Sequence, residues 1–415
     1  MNFNDFSSPA FFENPYPLYE KIRNAGPFVQ FGPNAFVTGR MLIVEALLRD
    51  RGMGKNYMPG VIVRYGESAP SQPVFQTLSR TFLMMNPPTH TRLRARLTKA
   101  FNGRQMTRLK DIVESTVNRL ADRLAAKPEF DLMTEYATPL PVEIICGLLD
   151  VPIEHGTQLG DAASRMVTAM DLAPLSDALL RDANEGAQTL DAYFRAVVAE
   201  RRANPGDDII SSLLATGGEG GSLTDDEVIA NVILIFTAGH ETTSNMIGNT
   251  LLALSRHPQQ LAALRREPAL TSKAVTECMR YDSSVQMVVR TALEEVTVGG
   301  VTLAPGTIVF MLIGAANRDP DVFADPDRLD IERADAGRAL AFGGGIHFCL
   351  GARLAALEIE TALKTLLERF PDLQLAELDR PQWRNRHNLR GVQSLPARQH
   401  VSPYVSPYAS PFVSL

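Results

Sequence analysis

The chain has three cysteines, Cys146, Cys278 and Cys349, and the last stands in a setting suited to chemistry. In Phe342-Gly-Gly-Gly345-Ile-His347-Phe-Cys349-Leu-Gly351-Ala-Arg353, three glycines precede the cysteine and Gly351 follows at the mouth of a predicted helix. Glycine lets a backbone approach a flat ligand closely and permits positive φ. A cysteine beside a helix N-terminus has its thiolate stabilised by unpaired N–H groups, and a thiolate is a nucleophile or a metal ligand. On these residues alone the segment fits a buried structural cysteine, a nucleophile served by His347, or a metal ligand. A phosphate loop fits poorly, because no Gly-Lys-Ser/Thr follows.

A second segment, Thr237-Ala238-Gly239-His240-Glu241-Thr242-Thr243-Ser244-Asn245, falls in the middle of an otherwise apolar helical run. Polar groups there cost free energy unless paired, and threonine hydroxyls can bond back to the helix carbonyls. A run that breaks local rules inside a core helix marks a functional site or a polar seam satisfied by neighbouring loops. Glu277 and Arg280 share a helix face at i, i+3, a spacing that is common and says little alone. After Pro87-Pro88, His90 and Arg94 share one face of a helix, while Arg92, Arg96 and Lys99 form a basic strip on another.

These residues need elements to position them. Residues 1–50 read as Pro-rich turns with short helical stretches. Residues 51–80, with Gly52, Gly54, Pro59, Gly60, Gly66, Pro70 and Pro73, read as a long loop of the kind that is usually functional. Residues 88–208 are mostly helical, with breaks at 204–208 and 217–221. Thr224 and Glu227 fit a capping box that opens a long helix, apolar on nearly every side and therefore buried. Residues 286–313 turn to β-branched residues punctuated by Gly299-Gly300 and Pro305-Gly306, which predicts short strands. A strong helix over 352–370 ends at Pro371, and 385–398 reads as a last strand pair. The tail repeats Ser-Pro-Tyr or Ser-Pro-Phe over 401–415, which excludes a helix and predicts a disordered or extended appendage.

Composition narrows the classes further. Of 415 residues, 45% are hydrophobic and 21% charged, a globular mixture that argues against disorder over most of the chain. Lys plus Arg is 41 against 47 Asp plus Glu, a formal charge of −6, which disfavours general nucleic-acid binding. The cysteines are too widely spaced for a disulfide framework or a zinc knuckle. No apolar stretch suits a secretion signal or a membrane span, the longest lying near 228–238. A cytoplasmic protein without a membrane anchor is expected.

Taken together, the segments resemble the cytochrome P450 family in its bacterial soluble form, from about residue 10 to about residue 398. The Phe-x-x-Gly-x-x-x-Cys-x-Gly element reads as Phe342, Gly345, Cys349 and Gly351. The Ala-Gly-x-acid-Thr element reads as Ala238, Gly239, Glu241 and Thr242. Glu-x-x-Arg is Glu277 and Arg280, and His-Thr-Arg-Leu-Arg spans His90 to Arg94. Asn86 stands where an Asp often precedes the two prolines, and Ser284 where a Pro is common. Neither departure removes a catalytic group.

The resemblance implies a mainly α fold with a smaller β-rich lobe, one domain over 1–400, and a long central helix over haem b (iron protoporphyrin IX). It makes Cys349 the proximal thiolate on the iron, favouring O–O cleavage. It assigns His90, Arg94, Arg290 and His347 to the haem propionates. Ala238, Phe342, Gly343 and Gly351 would also line the cofactor. Glu241 and Thr242 would relay protons on the distal face through water, and Glu277–Arg280 would be a buried structural pair. The implied reaction is monooxygenation by hydroxylation or epoxidation. Its electrons would come from NAD(P)H through a reductase and a ferredoxin or flavodoxin, docked in part by Arg92, Arg96 and Lys99.

By family position the substrate pocket is lined by the 51–80 loop (Val63 among it), Leu234, Thr237, the 285–289 stretch with Met287 and Val288, and Val392. These side chains are largely apolar, which predicts a mid-sized apolar substrate: a polyketide, macrolide, terpenoid, other secondary metabolite or fatty acyl chain, free or carrier-bound. Arg64 in the loop could bind an acid group, but an exposed loop arginine is the commoner case. A monomer is expected. Two rivals remain: a haem-thiolate protein that uses peroxide, for which the Glu241–Thr242 pair would be superfluous, and a binding module without turnover.

Overall fold

The computed structural model describes residues 3–399 apart from 102, 172 and 216–221. The 401–415 tail lies outside the described residues.

The centre of the molecule is the helix Asp225–Arg256. Its start is the capping box expected from sequence: the Thr224 N–H donates to Glu227 Oε2 at 2.9 Å, and the Glu227 N–H donates to Thr224 Oγ1 at 3.2 Å. Asp225, Asp226 and Glu227 crowd the first turn, where negative charge meets the positive end of the helix dipole. Helices Pro139–Leu149, Gly156–Val167, Asp177–Ala203 and Ala352–Arg369 supply most of the packing around it, and Gly103–Ala125 packs on the first and last of these. One continuous apolar core includes Val113, Ile144, Leu159, Leu190, Phe236 and Leu363.

The β-rich lobe is built on a five-stranded sheet. Its order is Val29–Gly32, Ala35–Thr38, Ile308–Leu312, Met287–Ala292 and Met53–Gly54. Only the contact between Ala35–Thr38 and Ile308–Leu312 is parallel. The strands expected over 286–313 are present, whereas the first two came from a region read as turns and short helices. They are four residues each, too short for a clear period-two pattern.

Two expectations need correction. The 51–80 segment is not a structureless loop: it holds helices Tyr57–Tyr65 and Pro73–Ser79 with a 3₁₀ turn at Ala69–Ser71. Pro59 and Pro73 fall in first turns, where the missing N–H costs nothing, and Val61, Val74, Phe75 and Leu78 turn into the core. The last strand pair expected over 385–398 does not form: Leu389 and Val392 make only isolated bridges, to Val285 and Trp383. The strand Pro396–Arg398 pairs instead with Glu129–Asp131 and Gln374–Leu375.

The Glu277–Arg280 pair is fully buried, with both side chains at 0% exposure. Arg280 donates to both carboxylate oxygens at 2.7 and 2.8 Å and to the carbonyls of Asn317 and Pro326, each at 2.9 Å. Arg333 Nε adds a third donor to Glu277 at 3.1 Å. Asn317 Oδ1 in turn accepts the Leu340 N–H at 2.7 Å. The pair thus holds the entry to the cysteine segment, and every charge in it has partners, which a buried ion pair requires.

Candidate active site

The cysteine segment is a tight loop closed by its own backbone. The Cys349 N–H donates to Phe342 O at 3.0 Å and the Phe348 N–H to Gly345 O at 3.1 Å. Gly345 has φ +64°, and a Cβ there would lie 1.9 Å from Leu48 O, so only glycine fits. A Cβ on Gly343 or Gly351 would meet nothing within 4 Å, so both present bare backbone to open space. Cys349 precedes the helix Ala352–Arg369. Burial pushes its thiol up, while the Gly351 N–H and the Arg94 guanidinium pull it down. Cys146 and Cys278 are buried, and burial raises both thiols to about 12 or beyond, the behaviour of inert structural cysteines.

Beside this loop lies a cluster of basic side chains. The rings of His90 and His347 are 4.3 Å apart between centroids. None of their four ring nitrogens has a hydrogen-bond partner, nor does Arg94 Nη1. Arg94 Nη2 donates to Phe348 O at 2.6 Å, tying the cluster to the loop. His347 is pushed down to about 2, first by burial and then by Arg290, Lys55, His90 and Arg94. Burial lowers Arg290 to about 10. Lys55 is driven well below its ordinary value by burial and by Arg290. Among the described residues, no carboxylate pairs with any member of the cluster. Buried like charges without counterions are costly, so the cluster is built for an anion.

Lys55 was missed from the sequence. Its backbone N–H donates to Asn86 Oδ1 at 2.7 Å, and its carbonyl accepts from Asn86 Nδ2 at 2.7 Å. Asn86, read as a departure from the family pattern, is thus the neutral clip that fixes the lysine. A signal existed in the lysine's place next to Gly54, but nothing local linked it to residues 290 and 347.

The central helix carries the second group of candidate residues. From Val228 to Leu254 every residue is buried except Ile235, Ala238, Gly239 and Thr242. Their spacing is i, i+3, i+4, i+7, one face of a helix, so an otherwise buried rod has a single open strip. Thr242 Oγ1 donates to Ala238 O at 2.7 Å. Glu241 borders the strip and is 9% exposed, with Oε2 unpartnered.

The other expected lining residues divide. Leu234 and Thr237 are buried on the central helix, and Thr237 Oγ1 lacks a partner. Val288 and Arg290 alternate onto one face of the strand Met287–Ala292, whereas Met287 packs with Phe6, Phe11 and Tyr19. Val392 is fully buried, 3.3 Å from where a Cβ on Gly248 would lie. Val63 is 86% exposed, because the helix Tyr57–Tyr65 turns Val61 inward instead. It is no part of an enclosed pocket. The basic strip also fails as drawn: Arg92 pairs with Glu227, Arg96 is buried, and only Lys99 is exposed. Arg64 donates to Gly60 O and Asp171 O.

The family model described as cytochrome P450 matches residues 61–398. The chain belongs to the cytochrome P450 family. It is 50% identical over 400 residues to cytochrome P450 133B2 of Xylella fastidiosa, covering 96% of this chain and 100% of that one. The crystal structure of P450BioI with a hexadec-9Z-enoic acid-ligated acyl carrier protein superposes with TM-score 0.88 at 34% identity, covering 95% of this chain and 100% of that one. The myxobacterial CYP267B1 in complex with myristic acid gives 0.87 at 31% identity, covering 96% and 99%.

This P450 is an oxidoreductase, a monooxygenase that binds haem. The residues fit that group. Porphyrin brings its own nitrogen donors, so one protein thiolate completes the proximal side. The glycine-bare loop at 343 and 351 admits a flat ring, and the cation cluster matches two propionates. No helix among the described residues is long and apolar enough to cross a membrane.

Proposed function

We propose that this P450 inserts one oxygen atom of dioxygen into an apolar substrate, by hydroxylation or epoxidation, and that long-chain acyl compounds, free or carrier-bound, are its first substrate class. The observation that carries the reading is the single open strip of the central helix, with an ionisable Glu241 and a hydroxyl at Thr242 set into an otherwise apolar wall. The related structures bound to a hexadecenoyl carrier protein and to myristic acid support the acyl class.

The haem group supplies dioxygen binding and reduction when held by Cys349. The chain supplies the rest. His90, Arg94, Arg290, His347 and Lys55 neutralise and orient the propionates. Ile235 and Ala238, on the open strip, would line the substrate space and exclude water. Thr242 can turn its hydroxyl from the Ala238 carbonyl to a water in the strip and hold the proton that Glu241 passes on. Electrons from NAD(P)H would arrive through a reductase and a ferredoxin or flavodoxin.

Myristic acid and its acyl-carrier thioester test the reading in one assay, with ¹⁸O₂ and a surrogate ferredoxin system. The expected product is a monohydroxylated chain carrying one ¹⁸O. Thr242→Ala should divert NADPH to hydrogen peroxide with product falling about tenfold or more. A protein that oxidises a steroid but neither acyl form would overturn the substrate class. Unchanged coupling in Thr242→Ala would overturn the proton assignment.

A further inference from the structure

The distal acid is not held by its own helix. Arg386 reaches it from the 384–392 turn, with Nη1 3.6 Å from Glu241 Oε1, and both side chains are largely buried at 14% and 11% exposure. The same guanidinium places Nε 3.2 Å from Asp171 Oδ2 and donates through Nη2 to Val167 O at 3.4 Å. Asp171 is fixed from the other side: it accepts the His387 N–H at 3.1 Å, and its Oδ1 lies 3.2 Å from His387 Nδ1. His387 Nε2 meets Ser7 Oγ at 3.2 Å, and Ser7 is exposed. A continuous polar chain therefore runs from Glu241 to the surface.

We infer that Arg386 is a positioning residue for Glu241, with Asp171 and His387 fixing Arg386. The guanidinium beside Oε1 fixes the position of the Glu241 carboxylate and aims it, leaving the unpartnered Oε2 to exchange a proton with water. Arginine does not release protons at any working pH, so Arg386 holds the acid rather than relaying through it. The inference rests on the monooxygenase reading. With two electrons from NADPH and two protons, dioxygen and substrate yield hydroxylated substrate plus water; the same two electrons and two protons yield hydrogen peroxide from dioxygen when the second proton is misdirected and no oxygen is inserted.

The test uses the haem-loaded holoenzyme with NADPH, a surrogate ferredoxin system and saturating myristic acid, comparing wild type, Arg386→Met, Arg386→Lys and Asp171→Asn. Arg386→Met should raise the ratio of peroxide to water plus product by about tenfold or more and increase the solvent deuterium isotope effect on NADPH oxidation. Arg386→Lys should recover part of both, and Asp171→Asn should fall between. Peroxide and isotope effect are read from dioxygen consumption, so they report on Arg386 even if myristic acid is not oxidised, an outcome that removes only the acyl reading. A second measurement needs no turnover. In the reduced, carbon monoxide-bound holoenzyme, Arg386→Met should shift the infrared CO stretch in the same direction as Glu241→Gln. The double variant should shift it no further, because the two residues act as one unit. Additive shifts, or an Arg386→Met protein with wild-type peroxide ratio and isotope effect, would overturn the inference.

Discussion

Two buried charge clusters of this P450 look alike in sequence and differ in kind. Glu277, Arg280 and Arg333 bring acid and base together, and nearly every polar atom finds a protein partner. Lys55, His90, Arg94, Arg290 and His347 bring only bases together, and the four imidazole nitrogens and Arg94 Nη1 are left without partners. The first is complete within the chain and can only serve the fold. The second is incomplete within the chain and, in the proposed function, would gain its counter-charge from the propionates. Satisfaction of buried groups separates a structural ion pair from a binding site where burial and residue type do not.

The comparison is broken most sharply by removing one charge from each cluster. Glu277→Gln should destabilise haem-loaded and haem-free protein alike, by about 3–5 kcal/mol, read as the denaturation midpoint of each form. A haem-free protein untouched by the change would put the pair in the binding site after all. Arg290→Met and Lys55→Met should act in opposite directions on the two forms. The haem-free protein should gain about 1 kcal/mol as like-charge repulsion is relieved, and the holoenzyme should lose haem faster to a haem-scavenging apoglobin. Parallel losses in both forms would make the cluster structural.

The smallest effect tests whether every unpartnered buried base signals a ligand. His240 is buried, its Nδ1 is unpartnered, and burial, then Arg384, push it down to about 4. It is therefore neutral in the fold, which is how a lone base is tolerated without a counter-anion. The unfolded chain binds a proton there below about 6.5. As pH falls from about 6.5 toward 4 the unfolded state takes up more protons, so this contribution is fully present above 6.5 and is lost on acidification, by at most about 1.4 kcal/mol per pH unit. His240→Leu should flatten that slope in denaturant titrations. An unchanged slope would show that the imidazole binds protons equally in the folded and unfolded chain, and that burial does not hold it neutral.

Much of the fold was legible along the chain. Thr224 and Glu227 announced the central helix because a capping box is local. The strands over 286–313 announced themselves by β-branched runs between glycine turns. Helices Tyr57–Tyr65 and Pro73–Ser79 were hidden because their prolines and glycines look like loop residues until the first-turn positions are known. The basic strip of Arg92, Arg96 and Lys99 was a correct helix face with the wrong surroundings, since Glu227 covers Arg92 and burial takes Arg96.

What the amino-acid sequence determined by itself is the chemistry available: a cysteine in a glycine-framed loop, an acid and a hydroxyl inside an apolar helix, and an acid and a base one turn apart. Those signals lie within a few residues of one another, so spacing carries them. What only the tertiary structure decided is which charges meet. Lys55 joins Arg290 and His347 across the chain, Arg386 meets Glu241 and Asp171, and Arg333 completes the Glu277–Arg280 pair. Electrostatic interaction depends on distance in space and on exclusion of water, and neither is written in the order of residues.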